Sequence, residues 1–159
     1  MTLAEQVLQA ASAQNASITI AESCTGGMLT SALTELPGAS MILDSGFIPY
    51  SYASKIAVLG VSPDTLLEKG AVSEEVAVQM AQGALKASSA THAIAITGVA
   101  GPQDSEAKPA GTVWFCVATS ENTHTELVEF GALGRQNVRQ SSVDHALTMM
   151  LNVFIVPII

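Results

Sequence analysis

Apolar residues recur along this chain in two alternating rhythms, and their alternation predicts a layered α/β fold. Leu3, Val7, Leu8 and Ala11 keep a helical period, so a first helix is expected over residues 3–14. The β-branched run at residues 17–21 reads as a short buried strand. Met28, Leu29, Ala32, Leu33 and Leu36 return to the helical period, which stops at Pro37-Gly38. A strand is expected from Met41 to Tyr50, weakened in its middle by Gly46. A short helix then runs from Ser51 to Leu59 and ends at Gly60. Ser62-Pro63 supply an N-cap and a first-turn proline for a helix reaching Lys69. Ser73, Glu74 and Glu75 open another, running to about Ala87, with acids at its positive end.

The second half reads as three strands and one helix. Ala93-Ile94-Ala95-Ile96-Thr97 is a buried strand that leads into Gly98-Val99-Ala100-Gly101-Pro102, and Gln103–Lys108 reads as a polar loop. Gly111–Thr119 and Thr123–Phe130 read as a hairpin joined by Ser120-Glu121-Asn122. A last helix is expected over Asn137–Val153, with Val138, Val143, Ala146, Leu147, Met150 and Leu151 on one face. The pattern predicts a three-layer α/β/α sandwich with a mixed, mostly parallel sheet of about five strands and an antiparallel element late in the chain. Without repeat, linker or low-complexity tract, residues 1–159 are expected to form one domain.

Composition narrows the partners. The chain is 48% hydrophobic but only 4% aromatic, so its apolar mass is Ala, Val, Ile and Leu, as a buried sheet requires. Six Lys and Arg against fourteen Asp and Glu give a formal charge of −8, which argues against nucleic acid or an anionic membrane as partner. Cys24 and Cys116 lack metal-ligand spacing, so neither a metal nor a disulfide framework is expected, and no motif asks for a cofactor. Residues 1–14 read as an amphipathic helix and not as a signal peptide. The apolar tail over residues 153–159 is too short to span a bilayer. The expectation is a cytoplasmic protein whose tail packs on a second copy, a dimer foremost.

Candidate chemistry concentrates at two places. The first strand runs into Glu22-Ser23-Cys24-Thr25-Gly26-Gly27, where three nucleophiles and free amides meet a helix start. Spacing alone does not choose among the three, and strand–turn–helix junctions rich in Ser, Thr and Gly are common as purely structural turns. The scarce cations give the second place. Lys69 and Lys86 fall at expected helix C-termini, which the helix dipole explains, and Lys108 reads as a solvated loop residue. Lys55 lies in an otherwise uncharged stretch from Phe47 to Leu59, as a desolvated base or as a snorkelling surface lysine. Arg135 and Arg139 share a face at the start of the last helix, where a cation is unfavourable without an anion. A phosphate fits there, and so does a neighbouring acid such as Glu129 or Asp144. His92, His124 and His145 lie beside no Ser or Cys motif and suggest no triad. The Gly98–Pro102 turn offers amides for an oxyanion or phosphate.

Several segments together resemble the CinA C-terminal domain family. They are Ala21-Glu22-Ser23-Cys24-Thr25-Gly26-Gly27, Leu36-Pro37-Gly38-Ala39-Ser40, Tyr50-Ser51 with Lys55, and Leu59-Gly60-Val61. Gly70-Ala71-Val72-Ser73-Glu74, the Thr97–Pro102 turn, Lys108-Pro109-Ala110-Gly111-Thr112-Val113-Trp114, Gly134-Arg135 and Arg139 follow in the family's order. The resemblance implies hydrolysis of the carboxamide of nicotinamide mononucleotide to nicotinate mononucleotide and ammonia, without metal or cofactor. It further implies Ser23 as nucleophile, Lys55 as its base and Tyr50 as an assisting hydroxyl. By physical inference beside the resemblance, substrate is expected against Cys24, Thr25, Gly26, Gly27, Thr97, Gly98 and Gly101, with Arg135 and Arg139 on the phosphate. Two stretches depart from the family pattern. Tyr52 and Ala53 replace an amide and a carboxylate ahead of Lys55, and Gln103-Asp104-Ser105-Glu106 replaces a glycine-rich run. Two other readings share this fold: a nucleotide- or partner-binding module without catalysis, and an amidase for a different nucleotide or amide.

Overall fold

In the computed structural model, which describes residues 1–156, six helices and five strands follow nearly the expected order. Thr2 caps α1 (Leu3–Ala13) through a reciprocal capping box with Glu5. Strand β1 (Ile18–Glu22) is buried along its whole length and leads into α2 (Met28–Thr34). A single 3₁₀ turn at Ala39–Met41 occupies the start of the expected second strand, so β2 is the shorter Leu43–Phe47. Ser51, Ser62 and Ser73 each cap a helix with the side-chain oxygen: α3 (Tyr52–Leu59), α4 (Pro63–Lys69) and α5 (Glu74–Lys86). Strands β3 (His92–Gly98), β4 (Thr112–Ala118) and β5 (Thr123–Glu129) precede α6 (Arg135–Ile155), which begins two residues earlier than its periodicity suggested.

The strands form one mixed sheet in the order β2-β1-β3-β4-β5. β1 pairs in parallel with both β2 and β3, whereas β4 is antiparallel to β3 and to β5. Four strands therefore run one way and β4 alone runs against them.

Strand alternation sorts the core by size. Ile18, Ile20, Ile94, Ile96, Val113, Phe115 and Val117 face α1, α2 and α6. Ala21, Ala93, Ala95, Cys116 and Ala118 face the other way, toward residues of α3, α4 and α5. Small residues on that face let α5 lie close, and Ala77, Ala81 and Ala84 continue the theme on the helix. Gly83 is the extreme case, since a Cβ there would stand 2.0 Å from the Leu59 carbonyl oxygen at the end of α3. Full burial of a side chain such as Phe115 or Met80 contributes about 1.5–3 kcal/mol.

This topology fixes where a ligand can enter. From β1 the chain moves to one neighbour, β2, and later returns to the other side as β3. The carboxyl ends of β1 and β3 thus open a crevice between diverging connections, the usual ligand position in open α/β sheets. Ser23 follows β1 directly, and the Val99–Pro102 turn follows β3. No described helix is long and apolar enough to cross a membrane. The expected packing of the tail on a second copy falls partly on residues 157–159, which lie outside the described residues.

Candidate active site

The segment after β1 is held from three sides. Ser23 N–H donates to the Ile96 carbonyl at 3.0 Å, extending the β1–β3 ladder by one residue. The side chain of Glu22, fully buried, turns back to accept from Leu29 N–H at 2.8 Å, Thr30 N–H at 3.0 Å and the Thr30 hydroxyl at 2.8 Å. A buried carboxylate thereby caps α2 in place of an N-cap side chain, which Gly27 does not have. Gly27 has φ 100°, a left-handed conformation that glycine adopts without strain. On the third side, Arg139 donates through Nε to the Cys24 carbonyl (3.0 Å) and through an Nη to the Thr25 carbonyl (3.2 Å).

Lys55 reaches the same place from α3. It is 1% exposed, so the snorkelling alternative is corrected by the structure. Its Nζ lies 3.0 Å from Ser23 Oγ and donates to the carbonyls of Pro49 (3.0 Å) and Tyr50 (3.1 Å). β2 ends at Phe47, and the chain then leaves the sheet, which frees these two carbonyls to face the lysine. Burial pushes the lysine below its ordinary value of 10.5, against an opposing pull from Glu106 and Cys24. A neutral amine has two N–H donors, and here two carbonyls stand ready for them. Its lone pair then faces the Ser23 hydroxyl.

A cleft of about 630 Å³ opens above this pair. Ser23, Cys24 and Lys55 lie in it, Thr97, Gly98 and the 99–102 turn form one wall, and Gln103–Glu106 with Ala71 and Val72 another. Arg135 and Tyr50 stand at the rim, joined by a 3.1 Å bond from the guanidinium to the Tyr50 hydroxyl, while Arg135 also donates to the Gly101 carbonyl at 3.0 Å. The Tyr50 hydroxyl is thus on Arg135, and Tyr50 meets Lys55 through its backbone carbonyl. Gly98 approaches β4 so closely that a Cβ would sit 2.7 Å from Val113 Cγ2. Thr97 turns its hydroxyl to the Ala71 carbonyl at 2.8 Å.

Other expected residues stand elsewhere. Thr25 is buried away from the cleft, and Gly26 and Gly27 do not line it. Gly26 N–H is committed to the Ser23 carbonyl at 3.1 Å. Of the two arginines expected on a phosphate, Arg139 clamps the Cys24–Thr25 backbone and does not line the cleft, whereas Arg135 does. Backbone carbonyls, not Glu129 or Asp144, partner both guanidiniums. Cys24 lines the cleft, but burial pushes its thiol up to about 11, away from thiolate chemistry. Lys108 is likewise not a solvated residue: it donates to the carbonyls of Lys69 (2.9 Å) and Val72. Among the described residues no three His, Cys, Asp or Glu side chains cluster as a metal site.

Sequence reasoning passed over two carboxylates, Glu22 and Glu106. Glu22 carried a signal, an acid six residues ahead of a helix whose N-cap is a glycine, whereas Glu106 was marked only as part of the stretch that replaces a glycine-rich run.

The CinA C-terminal domain matches residues 1–154 of this sequence. The chain belongs to that family. It is 44% identical to the nicotinamide-nucleotide amidohydrolase PncC of Escherichia coli K12, over 98% of this chain and 94% of that protein. Among solved structures, a competence-damaged protein (CinA) superfamily protein of Klebsiella pneumoniae 700603 superposes with a TM-score of 0.93 at 35% identity, covering 96% of this chain and 95% of that one. The competence/damage inducible protein CihA of Agrobacterium tumefaciens gives 0.90 at 40% identity, covering 94% and 93%. The five-stranded mixed sheet described above is therefore the CinA fold.

Proposed function

We propose that this CinA-family chain is an amidohydrolase that converts nicotinamide mononucleotide to nicotinate mononucleotide and ammonia by a Ser–Lys mechanism. The observation that carries the mechanism is the 3.0 Å approach of a buried Lys55 Nζ to Ser23 Oγ. The likeness to PncC supports the substrate. Neutral Lys55 takes the Ser23 proton as Oγ attacks the carboxamide carbon. The tetrahedral oxyanion forms beside the Val99–Pro102 turn, where the Ala100 and Gly101 amides have no acceptor among the described residues. Lys55 returns its proton to the leaving nitrogen, the C–N bond breaks, and ammonia departs from a Ser23 ester. Water then gives a proton to Lys55 as it attacks the ester carbon, and Lys55 passes that proton to Ser23 Oγ as the carbon–Oγ bond breaks, releasing nicotinate mononucleotide and restoring the free serine and neutral lysine. Tyr50 assists by holding Lys55 through its carbonyl and Arg135 through its hydroxyl.

Purified protein is expected to release ammonia and nicotinate mononucleotide from the nucleotide, as read by coupled ammonia assay and chromatography. Calorimetric binding of the nucleotide without turnover would replace this reading with the binding-module one. Turnover of another carboxamide nucleotide in preference would replace the substrate.

The position of Arg135 at the rim of the cleft supports reading it as the cation that meets the 5′-phosphate. Arg135→Gln should raise KM for the mononucleotide about 10- to 100-fold with kcat nearly unchanged, the loss of one charge-assisted contact. The same change should leave the phosphate-free nucleoside unaffected, and an equal penalty on both would remove the arginine from phosphate binding. Exposed Ile155 and Val156 at the end of α6 support the expected self-association, which light scattering on the eluting protein tests. Placement in the cytoplasm belongs to the same reading.

A further inference from the structure

The two stretches in which this chain departs from the family pattern touch each other. Tyr52, the first residue of α3, hydrogen-bonds through its hydroxyl to Glu106 Oε1. The same carboxylate accepts from Ala71 N–H at 2.6 Å and, through Oε2, from Val72 N–H at 3.1 Å. Lys108, two residues on, binds the Lys69 and Val72 carbonyls. The 103–108 segment is therefore strapped to the 69–72 turn and to the helix that carries Lys55.

The strap is held against local preference. Ser105 and Lys108 exchange backbone hydrogen bonds of 3.1 and 2.8 Å, closing a two-residue turn on Glu106 and Ala107. Both residues have positive φ, 54° and 60°, which such turns usually leave to Asn and Gly. An L-residue at each position costs about 1 kcal/mol. Strain of this kind persists where the surroundings over-determine it and gathers at functional sites. Here the surroundings are the contacts of the Glu106 side chain.

We propose that Glu106 is a positioning residue of the active site: gripped by Tyr52, three residues ahead of Lys55 on α3, it fixes the cleft wall and sets a negative charge against the lysine. The proposal rests on the reading of Lys55 as the base. Burial alone would raise the Glu106 carboxyl, but the donors Tyr52, Ala71 and Val72, with Lys108 beside them, hold it below its ordinary value, so it is charged when the enzyme works. The titratable and charged groups that line the cleft with Lys55 are Cys24 after β1, Tyr50 and Tyr52 around the start of α3, Asp104 and Glu106 from the loop, and Arg135 from α6. Asp104 is engaged with Ala110 N–H and Arg135 with Gly101 and Tyr50, whereas the α5 residues buried in one cluster with Leu59 of α3 are Val76, Met80 and alanines. Glu106 is thus the carboxylate that opposes the effect of burial on Lys55.

Glu106→Gln keeps the shape and removes the charge. With nicotinamide mononucleotide as substrate, the acid limb of kcat/KM should move about 0.5–1 pH unit downward, because Lys55 loses a group that favours its protonated form. Tyr52→Phe keeps the charge and loosens the strap, so KM should rise while the limb stays in place. A limb that is unmoved in Glu106→Gln overturns the proposal, as does one that moves equally in both variants. Loss of the cooperative thermal transition in Glu106→Gln also overturns it, by assigning the residue to the fold. A wild-type profile with no acid limb would instead remove Lys55 as base, and this proposal with it.

Discussion

Replacing Ser23 with alanine should lower kcat on nicotinamide mononucleotide by at least about 10³-fold, with little effect on stability. The side chain is small, its Oγ has Lys55 Nζ as partner, and its backbone anchor to Ile96 survives the change. Two other nucleophiles adjoin it, and neither substitutes. The Cys24 thiol is held near 11 by burial, and Thr25 does not line the cleft. Single-turnover assays for nicotinate mononucleotide read the loss, with the thermal midpoint as the folding control. Activity within tenfold of wild type would mean that the attacking group is not the Ser23 hydroxyl.

Lys55→Met should cost about 10²–10⁴ in kcat, the range in which a general base contributes. This change also strands the Pro49 and Tyr50 carbonyls, each at about 1–3 kcal/mol where no water reaches them, so a lowered thermal midpoint is expected as well. Lys55→Ala separates the two effects, since the slot it leaves admits a small primary amine. Added ethylamine should restore nicotinate mononucleotide formation in proportion to its free-base concentration. A variant that folds, binds substrate and turns over at the wild-type rate would remove Lys55 from the chemistry. In the wild type, the rate should climb with pH through a value below 10.5, because the proposed mechanism works through the neutral amine, whose formation burial favours.

The order of elements was legible because each half of the pattern is strong by itself: isoleucines and alanines alternate in β3, and serines precede three helices. Element ends were less so. The apolar run after Met41 reads as one strand, yet Gly38 in a left-handed conformation starts a 3₁₀ turn and Ile48-Pro49 leaves the sheet. Ser23 and Lys55 could be singled out by the resemblance, but their approach depends on two carbonyls that no side chain announces. The two arginines, read as equivalent from their spacing, differ because one turn of helix carries them to different backbone segments. Tyr52 and Glu106 stand 54 residues apart and meet through a strained turn, so no local pattern links them.

That Lys55 is held by main-chain oxygens has an evolutionary side. Carbonyl groups are the same whatever residue bears them, so the side chains at positions 49 and 50 can change without removing an acceptor from the lysine. Around a base anchored by a carboxylate, each neighbouring replacement would risk the pairing. Here Tyr52 and Ala53 depart from the family pattern while the Ser23–Lys55 pair keeps its 3.0 Å approach. The neighbourhood of Lys55 is thereby free to vary without disturbing the acceptors that hold its amine.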